Sequence, residues 1–148
     1  MASSEALHPT RTAPTASRPK ALHVSLWAVQ VLLALAFGMA GLMKSTQPIA
    51  ELAEKMVWPG VLPAALVRFI GVSELLGAIG LILPSATRVK PGLTVLAALG
   101  LTTVMLLAIV FHISRGEFGN LIFNVVLGAL AAFVAWGRAK KAPIAPRV

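Results

Sequence analysis

The sequence predicts an all-α membrane protein: a bundle of four transmembrane helices, with a short interfacial helix between the first and second spans. Three observations predict it. Hydrophobic residues make up 57% of the 148 positions and charged residues only 12%, and the mean hydropathy is +0.85, a balance suited to lipid contact and not to a soluble domain. Four apolar runs each approach the roughly 20 residues needed to cross a bilayer. Between them stand prolines, glycines and basic residues that punctuate the chain.

Residues 1–21 are rich in Ser, Thr, Ala and Pro and carry Arg11, Arg18 and Lys20, a composition that buries too little apolar surface to order itself. They are expected to form a disordered cytoplasmic tail. No small-residue cleavage site follows the apolar run after them, so the first span, about residues 22–43, reads as an uncleaved helix and not as a signal peptide. Its seam is Gln30, Ala34, Phe37, Gly41 and Lys44, at spacings of four, three, four and three. An amide such as Gln30 at mid-depth most often makes an interhelical hydrogen bond worth roughly 1 kcal/mol.

The segment STQPIAELAEKMVWPG places Ile49, Leu52, Ala53 and Met56 opposite Glu51, Glu54 and Lys55, the pattern of a short amphipathic helix lying on the membrane. Such a helix could cap the mouth of the bundle. Trp58 at its end suits the membrane interface. The second span, about residues 63–84, reads PAALVRFIGVSELLGAIGLILP. Gly71, Ser73, Glu74, Gly77, Ala78 and Gly80 fall on one arc that should face protein, while Val72, Leu75, Leu76, Ile79 and Leu83 face lipid. Arg68 sits on the lipid side near the helix start, from where its stem should extend to the headgroups.

A basic turn, PSATRVKPG, leads to the third span, about residues 92–112, with a seam of Thr94, Ala98, Leu101, Met105, Ala108 and His112. The link SRGE leads to the fourth, about residues 118–136, with Asn120, Asn124, Leu127 and Ala131 on one face. Residues 138–148 are expected to be a basic cytoplasmic tail. Four spans put both termini on one side, where nine basic residues (Arg11, Arg18, Lys20, Arg88, Lys90, Arg138, Lys140, Lys141 and Arg147) stand against Lys44, Lys55 and Arg115 on the other. That imbalance predicts a multi-pass protein of the cell membrane with cytoplasmic termini.

Glu74 is the position the rest must answer. A carboxylate about 16 Å along its helix lies near the midplane, where it requires a partner, water or a proton. Lys44, Arg68, His112, Asn120 and Asn124 fall in the outer half of the membrane, so the seams predict a polar pocket floored by Glu74. Lys44 is the natural counter-charge, across a vertical gap of a turn or two that water or Asn124 would bridge. The sequence leaves open whether Glu74 is ionised or protonated. The candidates for ligand binding or proton exchange are Glu74, Lys44, Asn124, His112 and Gln30, with Arg68 and Trp58 as interfacial residues.

Other chemistries are excluded or unsupported. Without cysteine there is no disulfide, thiol relay or thiolate metal site. His8, His23 and His112 are too scattered to suggest a metal site, and no catalytic constellation or nucleotide loop is visible. Basic residues at the ends of apolar runs, without interleaved aromatics, fit anionic lipid headgroups and not nucleic acid, despite the net charge of +8.

Gly41-Leu42-Met43-Lys44 closing span one, followed by Gly71-Val72-Ser73-Glu74-Leu75-Leu76-Gly77-Ala78-Ile79-Gly80-Leu81-Ile82-Leu83-Pro84 in span two, resembles the DoxX-like family of small four-helix membrane proteins over about residues 25–138. The resemblance marks Lys44 and Glu74 as motif positions. It implies a direction towards quinone-linked sulfur oxidation and other redox systems, in which a chain without cysteine fits quinone contact or an accessory role. The leading expectation is an accessory membrane subunit that binds a quinone-like or lipid-like molecule, or a redox partner protein, around Glu74. The alternative is a small proton-coupled transporter, which with four spans would act as a homodimer.

Overall fold

The computed structural model describes residues 20–147. The tail expected over residues 1–21 therefore lies outside the described residues, except for Lys20 and Ala21, which open the first helix. Among the described residues all regular structure is helical: α1 Lys20–Thr46, α2 Ile49–Lys55, α3 Ala64–Thr87, α4 Gly92–Ser114 and α5 Leu121–Trp136. One turn of 3-10 helix, Trp58–Gly60, follows α2, and a π-helical turn, Gly137–Lys141, extends α5. Four segments are long and apolar enough to cross a membrane: α1, α3, α4 and Leu121–Lys141.

The four long helices form a ring in which α1 packs on α3, α3 on α4, α4 on α5, and α5 returns to α1. The seams face inward. On α1 the buried residues are Leu26, Gln30, Leu33, Phe37, Gly41 and Lys44; on α4 they are Thr94, Ala98, Leu101, Met105 and His112. Leu33, Phe37, Leu81, Ala98, Leu101, Leu127 and Ala131 meet in one core shared by all four helices. Large apolar residues such as Leu35, Phe69 and Ile122 are exposed, as lipid contact requires.

Beyond small extensions of α1 to Thr46 and α4 to Ser114, three differences from the expected span ends bear on the bundle. α3 runs through Pro84 to Thr87: the proline lacks the N–H that would reach the Gly80 carbonyl, yet the helix continues one more turn, and beside it the Gln30 amide of α1 donates to the carbonyl of Leu81. The fourth helix begins at Leu121 and not at 118. The chain expected to leave as a basic tail at 138 instead makes the π-helical turn, with Arg138 buried.

The tightest approach is between α1 and α3. A Cβ on Gly41 would lie 2.7 Å from the Gly71 oxygen and 2.7 Å from the Leu75 nitrogen, and one on Gly71 would lie 2.7 Å from the Lys44 Cβ. Both contacts involve backbone or the root of a side chain, which cannot give way. α2 lies across this end of the bundle, with Leu52 buried and Glu51, Glu54 and Lys55 exposed.

Gly71→Val is therefore expected to destabilise the protein in reversible detergent unfolding by about 1–3 kcal/mol or more through overpacking. Gly100→Ala, where no atom lies within 4 Å of the added Cβ, should leave stability at or above the wild-type level.

Candidate functional site

Side chains on a helix lean towards its N-terminus. For Lys44, in the last turn of α1, that lean carries the ammonium group back into the bundle. Glu74 on α3 is brought alongside by the Gly41–Gly71 contact one turn away. The Lys44 Nζ donates to both Oε1 and Oε2 of Glu74 at 2.6 Å, with Glu74 2% and Lys44 8% exposed. The expected gap filled by water or Asn124 is thus absent, because the flexible four-carbon stem spans it directly.

Arg68 has a partner within the bundle that the sequence did not show: its Nη1 donates to the Lys44 carbonyl at 2.6 Å. That carbonyl is one of those a helix C-terminus leaves without an intrahelical partner, and a cation there also complements the helix dipole. Trp58, just beyond α2, covers Lys44, with the ammonium 5.6 Å from the ring centroid.

Beside the ion pair lies a chamber of about 350 Å³ bounded by α3, α4, α5 and the segment after α2. Its polar wall comprises Lys44, Ser73, Glu74, His112 and Asn124; Leu66, Phe69, Leu107 and Phe111 are among its apolar residues. Phe69 and Leu107 are 68% and 65% exposed, so the apolar wall reaches the lipid-facing surface between α3 and α4.

At the α4–α5 turn, His112 is buried and its Nδ1 lies 3.0 Å from Glu117 Oε2, while Arg115 Nε donates to Glu117 Oε1 at 2.6 Å. Gly116, at φ 67°, supplies the left-handed turn that returns Glu117 to His112. The hydrogen bonds from Arg115 and then His112 hold the Glu117 carboxyl below the usual glutamate range. With Nδ1 engaged, His112 keeps Nε2 for the chamber.

The structure thus gathers Glu74, Lys44, Asn124, His112 and Trp58 around one chamber. Gln30 is not there. It lies towards the opposite end of the bundle, where its Nε2 bonds the Leu81 carbonyl and its Oε1 accepts from Arg138 Nε at 2.6 Å. Asn120 is exposed in the turn before α5 and does not line the chamber. Arg138, which sequence reasoning left in the tail, is 3% exposed and lies over the Trp27 ring at 5.3 Å. The signal was present: Leu127, Ala131 and Val134 continue at the same spacing to 138.

Lys44→Met should destabilise the protein by about 3–5 kcal/mol by leaving a buried carboxylate unpaired. The double variant with Glu74→Gln should recover much of that loss in the same unfolding assay; additive losses would remove the coupling. A second expectation concerns pH. Because folding lowers the Glu117 pKa, its stabilising contribution is complete above the ordinary glutamate range and is lost as pH falls through the lowered value. Glu117→Gln should abolish that component of the acid dependence, read by unfolding midpoints across pH 2 to 6.

Comparison with curated proteins and with solved structures returned no match. A family model described as the DoxX-like family matches residues 28–134, a stretch that holds the ion pair and every residue lining the chamber. The chain belongs to the DoxX-like family and is a multi-pass membrane protein of that family.

Proposed function

We propose that the chamber beside Glu74 takes up a lipid-soluble amphiphile, a quinone-like or lipid-like molecule. In this reading the protein acts as an accessory membrane subunit alongside a redox partner and carries out no bond chemistry of its own. The observation that carries the reading is the composition of the chamber: a polar wall at the ion pair, and an apolar wall that continues to the lipid-facing surface between α3 and α4. Its volume of about 350 Å³ falls within the range of small-molecule sites, which pair mostly apolar walls with a few placed polar groups. A molecule dissolved in the bilayer would enter sideways and bring its polar head to the inner wall.

There the head would meet donors and an acceptor. Lys44 offers an N–H beyond those turned to Glu74 and Asn124 offers its amide, so a carbonyl oxygen suits both; His112, whose Nδ1–H is turned to Glu117, presents Nε2 as an acceptor for a hydroxyl. Glu74 holds the ammonium in place and neutralises it, so a neutral head is favoured over an anionic one. Phe69, Phe111 and Trp58 supply flat apolar surfaces for a ring. The redox direction rests on the resemblance of the Lys44 and Glu74 motifs to the DoxX-like family.

The test is native mass spectrometry of gently solubilised protein, with co-purified molecules extracted and with short-chain ubiquinone or phosphatidylethanolamine added. Wild type should carry a stoichiometric ligand, and the complex mass would also report oligomeric state and any partner. Glu74→Gln should lose the ligand by disturbing the ion pair. Ala108→Trp should lose it by filling the chamber while leaving the pair intact. An empty wild type, or occupancy unchanged in both variants, would overturn the reading and turn attention to proton-coupled transport.

A further inference from the structure

At the end of the bundle opposite the Lys44–Glu74 pair, Arg138 is buried with no counter-charge among the described residues. Its guanidinium Nε donates to Gln30 Oε1, and its Nη1 lies 3.2 Å from His23 Nδ1 and 3.3 Å from the Ala142 carbonyl, to which it donates. Its Nη2 is buried with no hydrogen-bond partner among the described residues. No carboxylate pairs with it among the described residues. The described acidic residues, Glu51, Glu54, Glu74 and Glu117, lie at the other end or at mid-bundle. An arginine cannot escape by losing its proton, and a buried cation left unpaired is strongly unfavourable.

Arg138 lines a second cavity, of about 220 Å³, together with Ser85, the first turn of α4 at Pro91 and Gly92, and Pro143 and Ile144 from the chain beyond the π-helical turn. The α4 terminus points its positive dipole end here. Ser85 Oγ, which shares a 2.8 Å hydrogen bond with Thr94 Oγ1, can rotate to donate. Arg88 and Lys90 flank the turn before Pro91, and Lys140 and Lys141 follow Ala139, all four exposed. The segment after Ala142 is folded back, with Arg147 N–H donating to the Arg88 carbonyl at 2.9 Å.

We propose that this cavity is a phosphate site, with Arg138 as its anchoring cation and Ser85 and the α4 N-terminus as further donors. A phosphate group matches the planar guanidinium, supplies a negative charge that no described residue brings to it and accepts several hydrogen bonds at once. The group could belong to an anionic lipid headgroup or to free phosphate, and the experiment separates them.

The full chain would be purified in phosphate-free neutral detergent and titrated with phosphatidylglycerol, with phosphatidylcholine and with inorganic phosphate, reading bound mass and thermal midpoint. Phosphatidylglycerol should bind more tightly than phosphatidylcholine if the source is lipid. Inorganic phosphate should bind alone and compete with lipid if it is free phosphate. In either case Arg138→Gln should weaken binding roughly tenfold or more, the scale of one charge-assisted contact. Ile144→Trp, which fills the cavity and leaves every Arg138 hydrogen bond in place, should do the same, so the site can be judged even where Arg138→Gln folds poorly. Gly100→Ala, whose added Cβ meets no atom within 4 Å, should leave this binding unchanged. Equal binding in wild type and Ile144→Trp, or no binding of either anionic probe, would overturn the proposal.

Discussion

A cation and a carboxylate held together away from water govern this bundle. In a low-dielectric interior the attraction between Lys44 and Glu74 is strong, and so is the penalty for exposing either alone. The neighbouring structure is arranged to make their contact short. Gly41 and Gly71 bring the two backbones together, the N-terminal lean of the Lys44 side chain directs the ammonium inward, and Arg68 holds the carbonyl of the same lysine. Trp58 then covers the ammonium, so α2 and the turn after it are drawn over the bundle's end. The chamber is the space left where α4 and α5 cannot follow α1 as closely as α3 does.

Lipid removes the usual reason for helices to associate, since a leucine gains nothing by leaving one apolar surrounding for another. The bundle therefore relies on shape and on polar links. Small residues sit where α1 meets α3. Polar links join helices across the bundle: Lys44 to Glu74, Gln30 to Leu81 and Arg138, and, between the consecutive α3 and α4, Ser85 to Thr94. Between the polar ends, Leu33, Phe37, Leu101 and Leu127 fill the core without polar atoms. The result is a molecule with chemically distinct ends: an ion pair and a chamber at one, and at the other a buried arginine that no described carboxylate pairs.

The spans and their inward faces were legible because a membrane helix has few ways to satisfy its polar residues, and heptad-like spacing alone placed Gln30, Phe37, Gly41 and Lys44 on one seam. The pairing of Lys44 with Glu74 was legible in sign but not in reach, because side-chain lean and stem length are not properties of spacing. The bond from Arg68 to Lys44 was not legible for a related reason: the C-terminal carbonyls of α1 were not counted as partners. Arg138 was missed because the run of basic residues from 138 was read as a tail, although the seam through Leu127, Ala131 and Val134 continues into it. A π-helical turn keeps the chain helical there, and periodicity alone gives no sign of one.

The link from Gln30 to Arg138 joins the first membrane span to the turn that closes the fourth. Ribosomes deliver these two residues at opposite ends of synthesis, with every other span made in between. Gln30 thus enters the bilayer well before its arginine exists, and the amide must be satisfied meanwhile by α3 alone, through Leu81. The ring of helices cannot shut as each span is threaded; it shuts once, after α5 has been released. Until then α1 and α3 can form a hairpin held by an ion pair at one end and a single amide at the other, its open side left for α5 to cover.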